Sequence, residues 1–311
     1  MSCQVVGIGE VLWDLFPDGP QLGGAPANFA YHAHALGARA IVLTRVGKDK
    51  FGSDILDRFK LLGLPLMTVQ LDDHVPTGTV AVTLNGKGVP HFIIHENVAW
   101  DRLEKTKMAL QTVRSADAVC FGSLAQRSEI SRSTIIELLH ETKPGALKVF
   151  DINLREKYYT SEVIEQSLKL ANVLKLNDQE LLILSKMFNL SGNNNQLIAA
   201  LAKKFGLSVV ALTMGPKGSM LYQKDRWSEC PSRVVDVKDT VGAGDAFTAS
   251  IVIGLLAKMD LDQIHFAASE IAQYVCTCVG ATPPLPAHLR ELVVGRPTFG
   301  GVCATHSTAA N

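Results

Sequence analysis

Short, continuously apolar runs recur along the chain, separated by longer segments in which apolar residues return at helical spacing. CQVVGIG, AIVLTRVG (40–47), DAVCFG (117–122), LKVFDIN (147–153), NVLKLN (172–177) and SVVALTMG (208–215) are of the first kind, rich in β-branched residues. Such runs suit strands covered on both faces, as in a parallel sheet. ANFAYHAHALG, FGSDILDRFKLLG, STIIELLHE, SEVIEQSLKLA and LIAALAKKFG have helical spacing. Strand and helix in regular turn predict an α/β fold whose parallel sheet carries helices on both faces.

Residues 77–100, TGTVAVTLNGKGVPHFIIHENVAW, break this rhythm with two alternating runs joined across Asn85-Gly86. That dipeptide favours a tight hairpin turn, so the segment predicts an antiparallel pair with one exposed face, either a lid over a cleft or a sheet edge. Further on, VVDVKDT (234–240) reads as a strand leading into Gly242-Ala243-Gly244, and 246–259 as a buried helix. No internal repeat of fixed period is present. The Gly-, Thr- and Ala-rich tail, 296–311, is expected to fray.

With 311 residues, 47% hydrophobic and 19% charged, the chain can bury a large core and reads as one main domain. Its 30 basic and 30 acidic residues balance, so no overall field recruits nucleic acid or an anionic membrane, and a small, locally recognised ligand fits better. The six cysteines are scattered without C-x-x-C pairing, as reduced thiols of a cytosolic protein would be. The start, MSCQVVGIGE, lacks a signal-type pattern, and no run approaches the ~18 apolar residues of a membrane span. A cytoplasmic location is expected.

The chemistry concentrates in DTVGAGDAFTAS (239–250). Its glycines open a helix, where unpaired N–H groups and the positive dipole end attract anions, yet a carboxylate, Asp245, stands among them. An acid in a first helical turn is ordinarily a favourable cap. The alternative is a site that holds a phosphate during transfer and takes a proton from the attacking hydroxyl. An ordinary aspartate, pKa about 3.9, is ionised at neutral pH, so that role asks for no large shift. Competing motifs fail: Leu12 and Phe247 occupy the third-glycine positions of two potential dinucleotide fingerprints, and neither G-x-x-x-x-G-K-[ST] nor H-E-x-x-H occurs.

DTVGAGDAF resembles the C-terminal signature of the PfkB, or ribokinase-like, carbohydrate kinases, and GGAPANFAYHAHALGARAIVLTRVGKDKFG (23–52) resembles their N-terminal signature. The similarity runs from GIGEVLWDLFP to Leu285-Pro286. It implies a ribokinase-like three-layer α/β sandwich around a mainly parallel sheet. Residues 1–311 would form one kinase domain, with lid elements at approximately 11–25 and 75–100. It further implies ATP with Mg2+, Asp245 as the base, and Gly242, Ala243 and Gly244 as the anion hole.

Other positions carry two readings. Asp14 begins a surface turn or, by resemblance, accepts from sugar hydroxyls; Gly23, Gly24 and Asn28 form a capped turn or the floor beneath the sugar. Asn153 and Arg155 lie just past a strand end, where open α/β sheets bind ligands, and Arg155 is either a solvated charge or a phosphate stabiliser. Asn177 and Glu180 match a capping box, and also the family's motif associated with Mg2+, acting through water. Thr213, Gly215 and Gly218 resemble the loop beside ATP or a plain turn; Ser269 replaces an asparagine that many relatives carry near adenine. Carbonyls at Asp239, Val241 and 275–280 match a K+ site seen in parts of the family.

GEVLWDLFP followed by GGAPANFA looks most like fructokinases, with 2-keto-3-deoxygluconate kinase and ribokinase as alternatives. Many fructokinases carry arginine at the end of the lid; here HENVAWD puts His95 or Asn97 against the sugar. A non-catalytic sugar- or nucleotide-binding protein is the reading from another class. A homodimer through the lid is also expected, with no nucleic acid or membrane partner.

Overall fold

The computed structural model describes residues 3–84, 90–294 and 304–307. The six apolar runs become β1 (Gln4–Ile8), β4 (Arg39–Gly47), β8 (Ala118–Phe121), β9 (Leu147–Asp151), β10 (Val173–Asn177) and β11 (Val209–Thr213), all paired in parallel, and β5 (Val69–Asp72), which the pattern of apolar runs does not predict, adds to β4 in parallel as well. β12 (Ser219–Gln223), β13 (Arg226–Cys230) and β14 (Ala304–Ser307) extend the sheet antiparallel. The ten-stranded order is β14-β13-β12-β11-β10-β9-β8-β1-β4-β5. β1 is the strand from which the chain winds outward both ways, so the crevice at its carboxyl end is where such sheets take ligands.

Period-two alternation sorts side chains between two cores. Val5, Val149 and Val173 join the core made with α1 (Ala25–Ala35), α2 (Lys50–Leu61), α8 (Ala243–Leu256), α9 (Leu261–Cys276) and α10 (Ala287–Val294). Val6, Ile8, Phe150 and Leu174 join the opposite core, made with α3 (Lys107–Ser115), α4 (Glu129–His140), α5 (Ser161–Leu170), α6 (Asp178–Met187) and α7 (Asn194–Phe205). The three-layer sandwich follows. The same parity turns Asp151 and Lys175, register partners on β9 and β10, toward the α8 side.

A second sheet stands apart, ordered β3-β2-β6-β7 from β2 (Leu12–Phe16), β3 (Gly19–Gly23), β6 (Gly78–Leu84) and β7 (Pro90–Ile94). Residues 77–100 thus contribute an antiparallel pair to a lid rather than to an edge of the main sheet. The turn expected at Asn85-Gly86 lies outside the described residues. At the lid's root the Arg127 guanidinium lies 4.0 Å from the centre of the Trp100 ring and 4.8 Å from that of Tyr158. It also donates to both carboxylate oxygens of Asp101 and to the His95 carbonyl. Tyr158 donates in turn to the carbonyl of Ile94, the last residue of β7.

Three expectations are corrected. Residues 234–240 form no strand: Val234 is fully exposed, and β13 already has β12 and β14 on its two edges, leaving no ladder for the segment to join. The helix after the glycines starts at Ala243, so Gly244 and Asp245 lie inside its first turn. Within the tail, 304–307 pair with β13 instead of fraying; the neighbouring residues lie outside the described ones. Among the described residues no helix is long and apolar enough to cross a membrane.

Candidate active site

Gly242 makes the turn that opens α8. Its φ of 79° is left-handed, and a Cβ there would stand 2.4 Å from the Ala281 carbonyl oxygen, so only glycine fits. The following first-turn amides, those of Gly244 and Asp245 included, have no acceptor within the helix. They form a ready anion seat.

Asp245 is buried and accepts a hydrogen bond from Asn28 Nδ2 at 2.9 Å. Burial, reinforced by the nearby Asp151 carboxylate, pushes its pKa up to about 6 against the pull of Lys175, Asn28 and Arg155. The ordinary carboxylate expected from the sequence is therefore replaced by one that titrates close to neutrality.

On one side of Asp245 lie the residues expected around a sugar. Gly24, at φ 111°, brings the chain against the Glu10 carbonyl, where a Cβ would approach to 2.5 Å. Asp14 on β2 faces Gly23, whose missing Cβ leaves room for the Asp14 carboxylate at 2.5 Å. Burial pushes Asp14 up to about 6 and Glu10 up to about 7, with the Arg155 charge opposing both. Arg155 itself is exposed, donating to the Leu154 carbonyl at 3.2 Å. Asn153 and Asn97 both hold positive φ, 38° and 56°, a conformation asparagine tolerates and which recurs at ligand sites. Asn97 is exposed at the lid's exit; His95 Nδ1 is bonded to Thr79 Oγ1 within the lid. Two buried acceptors, Glu10 Oε2 and Asn28 Oδ1, have no protein partner, a state that suits a ligand rich in hydroxyl donors.

On the other side opens a cavity of about 600 Å³ lined by Asn177, Thr213, Gly215, Gly218, Ala243, Gly244 and Ser269. Val235, Val237 and Phe247 give it apolar walls. The exposed 234–240 segment is thus a pocket rim. Ser269 stands beside a buried relay in which His265 bridges Ser228 (2.9 Å) and Ser219 (2.8 Å), and Ser219 lies 3.4 Å from Ser269. Burial pushes His265 down to about 4, so the relay is uncharged. Gly242, expected beside the nucleotide, is not among the residues lining the cavity and packs on Ala281.

The metal candidates are already engaged. Glu180 accepts from the amides of Leu154 (2.9 Å) and Asn177 (2.8 Å), one through each carboxylate oxygen, and Asn177 Oδ1 accepts from the Glu180 amide. The capping box is real, and each Glu180 carboxylate oxygen already accepts from one amide. Asp239 is held by the amides of Val241 and Gly280. The Cys276 carbonyl, within the 275–280 segment, accepts from the amides of Lys238 and Asp239. Among the described residues no cluster of His, Cys, Asp and Glu could hold a metal by itself.

Sequence reasoning missed Lys175, Glu10 and Arg127. The first two had a signal: each is a charge inside or beside a run otherwise apolar throughout, NVLKLN and GIGEVL, and a charge kept there needs a reason. Arg127 had none, because its partners come from the lid and from distant loops.

The site thus combines a buried acid at a glycine-opened helix, held by Asn28, with an adjoining cavity lined by Gly244, on an α/β sandwich. Residues 20–288 match the pfkB family carbohydrate kinases. An uncharacterized sugar kinase of Pyrococcus horikoshii is 31% identical over 246 residues, covering 77% of this chain and 75% of the relative. Its crystal structure superposes with a TM-score of 0.82 over 93% of this chain and 99% of that one. Escherichia coli fructokinase is 28% identical over 92% of this chain and 97% of its own. A Vibrio cholerae fructokinase, solved with fructose, ADP and a calcium ion, is 25% identical and superposes with a TM-score of 0.77 over 94% and 99%. The chain belongs to the PfkB family of carbohydrate kinases, and is a sugar phosphotransferase.

Proposed function

We propose that the protein is an ATP-dependent fructokinase. One observation carries the catalytic part: Asp245 is buried, held by Asn28, and directly follows Gly244, which lines the cavity. A hydroxyl placed there faces a proton acceptor and an anion seat together. The choice of fructose rests on relatives named fructokinase, from rice at 29% identity over 91% of this chain and from E. coli at 28% over 92%.

In the reaction Asp14, Glu10 and Asn28 accept from sugar hydroxyls and fix the ring. Asp245 accepts the proton of the attacking hydroxyl as the new O–P bond forms and the γ-phosphorus–oxygen bond to ADP breaks, ADP leaving with the bond's electron pair. The amides of Gly244 and Asp245 take the charge on the transferred group, and Arg155, free to swing over the cleft, adds its cation. Asn177, Thr213, Gly215, Gly218 and Ser269 line the nucleotide's place. Glu180 would hold Mg2+ through water, and the ion would neutralise charge on the ATP phosphates. Closure of the β2-β3-β6-β7 lid excludes water, which would otherwise compete as nucleophile.

The test is ADP release with ATP and Mg2+ over fructose, ribose, 2-keto-3-deoxygluconate and glucose, with Asp245→Asn alongside. Fructose-dependent turnover falling at least a thousandfold in the variant, with ATP still bound, is the expected result. Preference for another sugar would overturn fructose and keep the kinase; ATP binding with no sugar-dependent ADP would point to the non-catalytic alternative. The homodimer through the lid belongs to this reading, and sedimentation at micromolar protein decides it: a monomer would sink it.

A further inference from the structure

We infer that Lys175 is a positioning residue for the phosphoryl transfer: its ammonium, buried beneath Gly244 and tied to the first turn of α8 through Asp151 and Thr248, holds the proton acceptor in working order. The inference rests on the reading of Asp245 given above. Lys175 Nζ donates to Asp151 Oδ1 at 3.1 Å, both side chains being about 5% exposed (6% and 5%). A Cβ on Gly244 would stand 2.9 Å from that Nζ, so the ammonium lies directly under the residue preceding Asp245. Thr248 Oγ1 reaches both Asp151 Oδ2 (2.8 Å) and the Gly244 carbonyl (3.0 Å), closing the link between β9, β10 and α8.

A buried ion pair costs desolvation that an apolar pair at the same sheet positions would avoid. Its placement has a consequence for Asp245. The groups facing that carboxylate are Asn28 on α1, Glu10 after β1, Cys120 on β8, Asp151 on β9, Arg155 on the loop after β9 and Lys175 on β10, and Glu180 acts on Lys175 in turn. Glu10, Asp151 and Glu180 bring negative charge into this region; Lys175 and the exposed Arg155 oppose it. Burial alone would lower the Lys175 pKa, but Asp151, Glu180 and Asp245 together hold it above the ordinary lysine value, so the cation is permanent. Removing it leaves Asp245 facing Asp151 without a buried counter-charge, and Asp245 takes up its proton at higher pH. A protonated Asp245 cannot accept the sugar's proton.

The experiment titrates Asp245 by NMR in protein labelled at the aspartate carboxyl carbon, assigned with Asp245→Asn, in parallel with the pH profile of kcat/KM. Lys175→Met is expected to move the Asp245 midpoint and the acidic limb upward by about one pH unit or more. Asp151→Asn is expected to move both downward, and Lys175→Met/Asp151→Asn to bring them back toward wild type. Midpoints unmoved in the folded variants, with activity falling evenly at all pH values, would make the pair merely structural and overturn the inference. Should Lys175→Met fail to fold, Asp151→Asn and the double variant decide it with the same signs. The titration needs no sugar, so failure of the kinase reading would appear separately, as wild-type protein without sugar-dependent ADP release.

Discussion

Asp245 has two requirements that pull against each other: it must be buried to exclude water and ionised to accept a proton. A folded pKa of about 6 against an ordinary 3.8 means that folding favours its protonated form. The associated stability is fully present below the unfolded value and is lost as pH rises through 6. Asp245→Asn should therefore be more stable than wild type at pH 7.5, by on the order of 2–3 kcal/mol, with the gap closing by about pH 4. Denaturant unfolding at both pH values measures this; an equal gap at both would refute it. Activity runs the other way, and kcat/KM should show an acidic limb near pH 6, to which Asp14 contributes as a group of similar midpoint. The sequence disclosed Asp245 through its glycines, but not its acid constant. That depends on Asp151, Lys175 and Asn28, which the fold brings from β9, β10 and α1.

At the scale of elements, the opening of α8 is the least tolerant feature. Gly242→Ala meets the Ala281 carbonyl at 2.4 Å in a left-handed conformation, and should cost about 2–4 kcal/mol with at least a hundredfold loss of kcat. Near-wild-type turnover would show that the turn has room to adjust. The strands that hold this helix were legible because parallel, doubly covered strands lack polar alternation. VVDVKDT misled because its valines have the same composition, yet they line a cavity rim instead of a sheet. Edge availability decides between the two, and no local pattern encodes it. The lid's antiparallel pair was legible from Thr77–Leu84 alternation, whereas its anchor was not: Arg127, Asp101, Trp100 and Tyr158 meet only in three dimensions. Arg127→Met should cost about 3–5 kcal/mol by leaving Asp101 buried without its cation, and should raise the sugar KM more than the ATP KM. Thermal melts and initial rates test both parts.

For the molecule as a whole, the two cores divide the work. The core on the α3–α7 side stabilises the sheet, while the α8 side carries the buried charges at the carboxyl ends of β9 and β10. The formal net charge of zero leaves recognition to local groups of the site and not to an overall field. The lid's root carries one more consequence. Gly78, where β6 begins, lies so close to the Trp100 indole that a Cβ would meet its nitrogen at 2.1 Å, and the Arg127 cation covers the ring. Any swing of the lid must therefore shift a fully buried indole against a charge. Trp100 is then a built-in optical probe: sugar binding should change its emission without a label, the part of the signal lost in Trp100→Phe separates it from that of Trp13 on β2, and the rise time of that part in a stopped-flow trace would clock lid closure directly.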